Sequence, residues 1–207
     1  WEGIYSRFDE VPVSGEGFSG QTWLDNSHAK MSELLEASKG PTIIPASPAY
    51  DASLLPFLAS LINEKQGRVR VLDFGGNLGF DYVPIINGMV ESGNLDYHIV
   101  EVLQICDMGS RIFGNDHRIH FHNGLPSDIP GVDIVHVGTT LQYIEDWTAL
   151  VAQLANYHPQ YFLFTDLQAG DVPTFATSQN YYGSKIACWF FDIQDVVGAM
   201  ASAGFNL

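Results

Sequence analysis

Basic residues are scarce in this chain. Nine Lys and Arg stand against 24 Asp and Glu in 207 residues, for a formal charge of -15. The nine (Arg7, Lys30, Lys39, Lys65, Arg68, Arg70, Arg111, Arg118 and Lys185) form no cluster along the sequence. Nucleic-acid binding rests mainly on Lys and Arg contacts to phosphates, so the composition argues against a nucleic-acid partner, and against an anionic membrane surface for the same reason. Cysteine is nearly absent. Cys106 and Cys188 are too few for a disulfide framework or a cysteine zinc cluster, and each reads as a small buried hydrophobe. No stretch approaches the roughly 20 apolar residues that cross a bilayer. The opening "WEGIYSRFDE" lacks the basic-then-apolar order of a signal peptide, so the expected location is the cytoplasm. Repeats and low-complexity tracts are missing too. What remains is a chain 46% hydrophobic, enough for one domain with a sizeable core.

From Val69 onward, apolar runs alternate with helix-like segments. Strands are expected at Val69–Phe74, Tyr97–Val102, Arg118–His122, Val132–Gly138 and Tyr161–Leu167. Helices are expected from the glycine-rich turn to about Glu91, over about Gln104–Phe113, and over about Trp147–Asn156. That alternation implies an α/β fold, with a mainly parallel, twisted, Rossmann-like sheet covered by helices on both faces. Residues 1–50, including a polar helical stretch from about Thr22 to Ser38, read as an N-terminal extension or lid on a domain spanning 51–207. Gln168–Trp189 shows no clear period and reads as a long loop beyond the fifth strand, at the edge where such sheets bind ligands. Asp192–Ala203 has helical spacing, and "FNL" then looks like the start of a strand.

The stretch "VRVLDFGGNLGFDY" is a strand running into a glycine-rich turn. A dinucleotide fingerprint would need glycine at the positions of Asn77 and Phe80, and a Walker loop would need a Gly-Lys pair, which the chain does not contain. Instead an acidic residue, Asp73, precedes Gly75, Gly76, Asn77 and Gly79. A carboxylate there repels a pyrophosphate and attracts a cation. At about 4 Å and an effective dielectric near 20, a unit charge pair is worth roughly 4 kcal/mol before desolvation. S-adenosylmethionine, with a sulfonium, an ammonium and no phosphate, fits that charge. Asn tolerates left-handed backbone, so Asn77 can hold the turn that a glycine usually makes. Glu101 stands 22 residues beyond Gly79, either as a solvated strand end or as the carboxylate that holds a ribose.

"VLDFGGNLG" resembles the first motif of class I S-adenosylmethionine-dependent methyltransferases, D/E-x-G-x-G-x-G. The resemblance implies that Asp73, Gly75, Gly76, Asn77 and Gly79 form the cofactor turn and that Glu101 binds the ribose. It also implies that Val102 packs on the adenine, that Asn123 or Leu125 borders it, and that Gly138 and Thr139 line the methionine end. "WEGIYSRF", "LDFGGNLG", "TTLQYIEDW", "FATSQNYY" and "AGFNL" together resemble an uncharacterised methyltransferase family associated with surface-polysaccharide (O-antigen type) biosynthesis loci. That narrower resemblance implies a saccharide or glycoconjugate acceptor. Methyltransferases of this class close their sheet with a hairpin after the segment where this chain stops, so the expected sheet lacks that hairpin and leaves one edge of the fifth strand unpaired.

Methyl transfer is an in-line displacement that needs positioning and, for an oxygen acceptor, a base. His136, Gln142 and Tyr143 are the candidates, although His136 lies in an apolar strand and also reads as a packed core histidine. Gln179, Asn180, Tyr181 and Tyr182 combine amide, phenol and aromatic groups that suit a sugar, or else form an ordinary surface loop. Asp146 reads as the cap of the following helix. Of His98, His117, His120, His122 and His136, His120 and His122 share one face of an expected strand while His98 and His136 belong to others, and no H-x-x-x-H or paired-cysteine spacing occurs, so no metal is expected. The reading is a methyltransferase of a small or saccharide-linked acceptor; the alternative is a non-catalytic nucleoside-binding or scaffolding domain of the same fold. The oligomeric state and the acceptor atom are not legible.

Overall fold

The computed structural model describes residues 1–39, 54–89 and 92–206. Five strands form one sheet: β2 (Val69–Phe74), β3 (Leu95–Val100), β4 (Ile119–His122), β5 (Ile134–Gly138) and β6 (Tyr161–Thr165). Their order is β4-β3-β2-β5-β6, and every pairing is parallel. Parallel neighbours need crossovers, and helices supply most of them. α3 (Tyr82–Gly88) follows β2, α4 (Leu103–Phe113) follows β3, and α5 (Trp147–Ala155) follows β5, while α2 (Leu54–Gln66) precedes β2. β4 returns to β5 through residues 123–133, which contain no helix.

Both sheet faces are packed, which explains the nearly continuous apolar strands. On one face Val69, Val71, Tyr97, Ile99 and Ile134 meet Leu55, Ala59 and Ile62 of α2 and Tyr82 and Ile85 of α3. On the other, Leu72, Val100, Val135 and Val137 meet Leu150, Val151 and Leu154 of α5. Val196 and Met200 of α6 (Ile193–Ser202) join that second core. α5 is capped by Asp146, whose Oδ1 accepts from the Ala149 N–H at 3.0 Å, as its place in the sequence implied.

The segment expected as a loop is not one. Gln168–Trp189 holds β7 (Ala169–Gly170), β8 (Phe175–Tyr181) and most of β9 (Ser184–Asp192). β8 and β9 pair antiparallel around a two-residue turn, Tyr182–Gly183, with φ of 47° and 79°. Positive φ at both central residues is the hairpin geometry that matches strand twist. β8 escapes a periodicity reading because its buried centre is Ala176, Thr177 and Ser178, which carry no hydrophobic alternation. The hydroxyls of Thr177 and Ser178 instead donate to the carbonyls of Gly3 and Pro12. β1 (Glu2–Tyr5) adds antiparallel to β8, giving a second sheet in the order β1-β8-β9-β7.

Other boundaries differ slightly. The helix expected to reach Glu91 ends at Gly88, and residues 90–91 lie outside the described residues, as does the end of the expected 1–50 extension. Phe205 starts no strand: its N–H bonds to the Met200 carbonyl at 2.9 Å and its ring packs edge-on against Phe162. Among the described residues β6 has a neighbour on one side only, as expected, and the extra hairpin belongs to the second sheet. No described helix is long and apolar enough to cross a membrane.

A buried polar chain crosses the first sheet. Asp73, fully inaccessible, accepts from Tyr97 Oη at 2.7 Å and contacts His136 Nδ1 at 2.8 Å. His136 Nε2 reaches Thr165 Oγ1 at 2.9 Å, so one chain of contacts links β3, β2, β5 and β6. Removing a donor from a buried carboxylate exposes its desolvation cost. Tyr97→Phe is therefore expected to lower the unfolding free energy by about 1–3 kcal/mol, read from urea denaturation. An unchanged midpoint would mean that Asp73 does not depend on this bond.

Candidate functional site

The glycine turn is held from below and from both sides. The Gly75 N–H donates to the Val100 carbonyl at 2.9 Å. Gly75 has φ 77°, and a Cβ there would overlap the Thr140 side chain, while one on Gly76 would overlap the Asp73 carboxylate. The tight approach at Gly75 is thus to Thr140, so a bulky residue at 75 would displace the turn itself instead of filling an open ligand space. Asn77 takes φ 50°, the left-handed backbone anticipated for it. Its Oδ1 accepts from the Leu78 N–H at 2.8 Å, and its Nδ2 lies 3.2 Å from Ser27 Oγ on α1 (Gln21–Ser38). Trp23, Leu24 and Met31 of α1 pack with Leu78, Val83 and Ile105, which seats that helix beside the turn.

Glu101 follows β3. Its Oε1 accepts from the Asn77 N–H at 3.2 Å and its Oε2 from the Val102 N–H at 2.8 Å. Each oxygen retains an acceptor position after those bonds. Burial raises the Glu101 pKa above its ordinary value, although the Val102 and Asn77 N–H groups pull it down.

Three non-glycine residues with left-handed backbone stand at the carboxyl ends of adjacent strands: Asn77 (φ 50°) after β2, Thr139 (φ 48°) after β5 and Asp166 (φ 52°) after β6. For a β-branched residue such as Thr139 this is costly, on the order of 1–3 kcal/mol, and such strain clusters at functional edges. Thr139 is fixed by its N–H to the Thr165 carbonyl at 3.0 Å and by Gln142 Nε2, which donates to the Thr139 carbonyl at 2.9 Å.

The same edge is acidic. Asp81, Asp73 and Asp166 surround His136, with Asp81 Oδ2 4.0 Å from Nδ1. Burial lowers the His136 pKa, but the charge and hydrogen bond of Asp73, with Asp81 and Asp166, hold it above the ordinary value. Burial, then the Asp73 charge, pushes Asp81 up to about 6, while His136 pulls it down.

No protein-family model matches the chain, and neither does the sequence of any curated protein. Solved structures do. DesVI of Streptomyces venezuelae superposes with a TM-score of 0.55 at 13% identity, over 86% of this chain and 90% of that one. CalS10 of Micromonospora echinaspora, an amino pentose methyltransferase solved with S-adenosylmethionine bound, gives 0.53 at 12% identity over 84% and 88%. The sugar N-methyltransferase KedS8 of Streptoalloteichus gives 0.56 at 11% identity over 94% and 88%. The chain has the class I methyltransferase fold. At these identities the likeness speaks for the fold alone.

On this fold the expected cofactor residues gather at one edge: the turn Asp73–Gly79, Glu101 with Val102, and Gly138 with Thr139. Asp73 sits beneath the turn, both oxygens engaged by protein, and presents no free charge at the surface. Asn123 is exposed, and Leu125 is half-buried against the second core. Tyr143, expected near the chemistry, and Gln179, expected near the acceptor, meet: Tyr143 Oη donates to Gln179 Oε1 at 3.0 Å. Phe18 lies 4.9 Å from the Tyr143 ring and 5.4 Å from that of Tyr181. Asn180 points to the opposite face of β8 and bonds Glu2, and Tyr182 forms the hairpin turn near Lys30. His136 and Gln142 face inward, each with protein partners. Asp81, Thr140 and Thr165 were not singled out by sequence; only Asp81, two residues past Gly79, stood near a motif.

A folded-state pKa raised to about 6 means that Asp81 binds its proton more tightly folded than unfolded. Its contribution to stability is present below about pH 4 and lost as pH rises through about 6. Asp81→Asn is accordingly expected to be more stable than the parent at pH 8, by about 1 kcal/mol, with the advantage gone at pH 4. Melting curves at the two pH values check this, and equal differences at both would refute it.

Proposed function

We propose that the chain is an S-adenosylmethionine-dependent methyltransferase acting on a small or saccharide-linked acceptor. The observation that carries the reading is Glu101: a half-buried carboxylate, fixed by one backbone N–H on each oxygen, beside a turn with the backbone of a cofactor loop. Two vicinal ribose hydroxyls match its remaining acceptor positions. The acidic edge around Asp81 and Asp166 suits a cationic ligand and disfavours a phosphate. The residues present therefore fit the cofactor, which when bound supplies a methyl group activated by its sulfonium.

The chain's own work is placement. Val102 would pack on the adenine and Asn123 or Leu125 would border it. Gly138 and Thr139 would flank the methionine end, and the strained Thr139 turn, clamped by Gln142, would keep that end from drifting. Tyr143, Gln179 and Tyr181 would receive the acceptor, since aromatic faces and an amide match C–H faces and hydroxyls of a sugar. Burial pushes the Tyr143 phenol well above its ordinary pKa, so it stays protonated and orients the acceptor instead of removing its proton. His136, both nitrogens engaged, acts as a positioning residue for Asp73. Two of the structures that share the fold act on sugars by their descriptions, which supports the saccharide-linked acceptor; the role in surface-polysaccharide assembly rests on the sequence resemblance alone. Residues 1–39 pack beside the turn and over Tyr143, a placement in keeping with a lid.

Calorimetric titration with S-adenosylmethionine and S-adenosylhomocysteine tests this reading: micromolar or tighter binding of both is expected, and silence toward both would leave a scaffold of the same fold. Glu101→Gln is expected to weaken S-adenosylhomocysteine binding by about 1–3 kcal/mol. A dissociation constant within twofold of the parent would remove Glu101 from the site. Tyr143→Phe, by contrast, is expected to leave cofactor affinity unchanged and to raise KM for an amino sugar or nucleotide sugar in a methyl-transfer assay; weakened cofactor binding would misplace the acceptor pocket.

A further inference from the structure

Away from that edge, the sheet carries a second polar constellation. β3 and β4 run parallel with His98 beside His120 and Val100 beside His122. Strand alternation sends Tyr97, Ile99, Ile119 and Phe121 to the first core, and Asp96, His98, His120 and His122 to the opposite face. Among the described residues no helix covers that face here, since residues 123–133 cross from β4 to β5 without one. The three imidazoles stack, with ring centroids of His98 4.8 Å from His120 and 5.2 Å from His122.

We propose that Asp96, His98 and His120 bind one divalent transition-metal ion of the zinc class. His98 Nε2 lies 2.9 Å and His120 Nε2 3.3 Å from the same oxygen, Asp96 Oδ1, and the three ligand atoms are all within 4.8 Å of one another. Ligands held about 2.0–2.2 Å from a zinc ion stand roughly 3.0–3.5 Å apart, so small adjustments bring all three into range. His98 is 5% exposed, and its Nε2, 2.9 Å from Asp96 Oδ1, has no partner that meets hydrogen-bond geometry. A buried imidazole nitrogen without a hydrogen bond, aimed at a carboxylate, wants a cation between them.

The surroundings are those of a metal site. His98 Nδ1 meets His122 Nε2 at 2.9 Å, the outer partner that fixes ring orientation, and Arg70 Nε holds the other Asp96 oxygen at 2.6 Å. Two imidazoles and one carboxylate favour zinc, cobalt or nickel over magnesium or calcium and leave positions open for water. The proposal departs from the expectation that these histidines lack metal-ligand spacing, because the parallel register brings Asp96, His98 and His120 together. The group Asp73, Asp81 and His136 also has metal-ligand proximity, but His136 already spends both nitrogens there.

The test is zinc titration of the metal-free, untagged chain by competition with a chromophoric chelator, with melting temperature followed in parallel. One saturable zinc ion per chain is expected, with a rise in melting temperature reversed by a chelator and absent with magnesium. His120→Gln and Asp96→Asn are each expected to weaken zinc binding at least tenfold, and His28→Gln, on the exposed side of α1, to leave it unchanged. His120 is 42% exposed at its side chain, so its variant should fold, which the metal-free melting curve checks. No saturable uptake by the parent, or undiminished uptake by the folded His120→Gln variant, overturns the proposal.

Discussion

The structure depends on one buried charge. Asp73 lies at the centre of the sheet with no solvent access, and a carboxylate in such a place is tolerable only when it is fully partnered. Tyr97 and His136 supply the partners from the strands on either side, and Thr165 holds the far nitrogen of the histidine. Its presence also dictates Gly76, because any side chain there would overlap the carboxylate. One residue therefore ties its strand to both neighbours and restricts the turn above it to a glycine at position 76. Breaking a buried ion pair, here by losing His136, typically costs about 3–5 kcal/mol, more than the neutral Tyr97 bond and a large share of a domain's stability.

Above that anchor, the carboxyl edge of the sheet stores strain and negative charge together. Asn77, Thr139 and Asp166 hold left-handed backbone on consecutive strands in space, and Asp81 titrates near pH 6 among other carboxylates. Neither feature helps folding. Both are accounted for if the edge has to fit a cationic ligand closely, the role we propose for it.

Much of this was legible beforehand, for physical reasons. Strands buried on both faces are continuous apolar runs, so Val69–Phe74 and Ile134–Gly138 stood out, and the helices between them carried ordinary periodicity. Asn77's backbone followed from its side chain, and Asp146's role from its position. The hairpin was hidden because β8 buries threonine and serine, whose burial depends on carbonyls supplied by residues near the other end of the chain. The sequence suggests that Asp73 offers its charge to a cationic ligand, because it does not show that Tyr97 and His136 enclose the carboxylate. The three histidines were dismissed for want of local spacing, whereas ligands drawn from neighbouring strands need register, not spacing, and register is a property of the assembled sheet.

The second sheet also orders events in time. β1 pairs with Ala176 and Ser178, so residues near position 2 acquire their hydrogen-bonding partners only after about 170 more have been joined to them. On a ribosome adding roughly 5–20 residues per second, that leaves the first strand unpaired for on the order of ten seconds or more while the central sheet forms. Such a distant pairing carries the full entropy of loop closure and forms late. Ile4, exposed even after pairing, adds little to the pull, so the strand's recruitment rests on backbone hydrogen bonds and on the hydroxyl of Thr177. Assembly thus proceeds from the inside outward, with β1 waiting on a strand about 170 residues further along the chain.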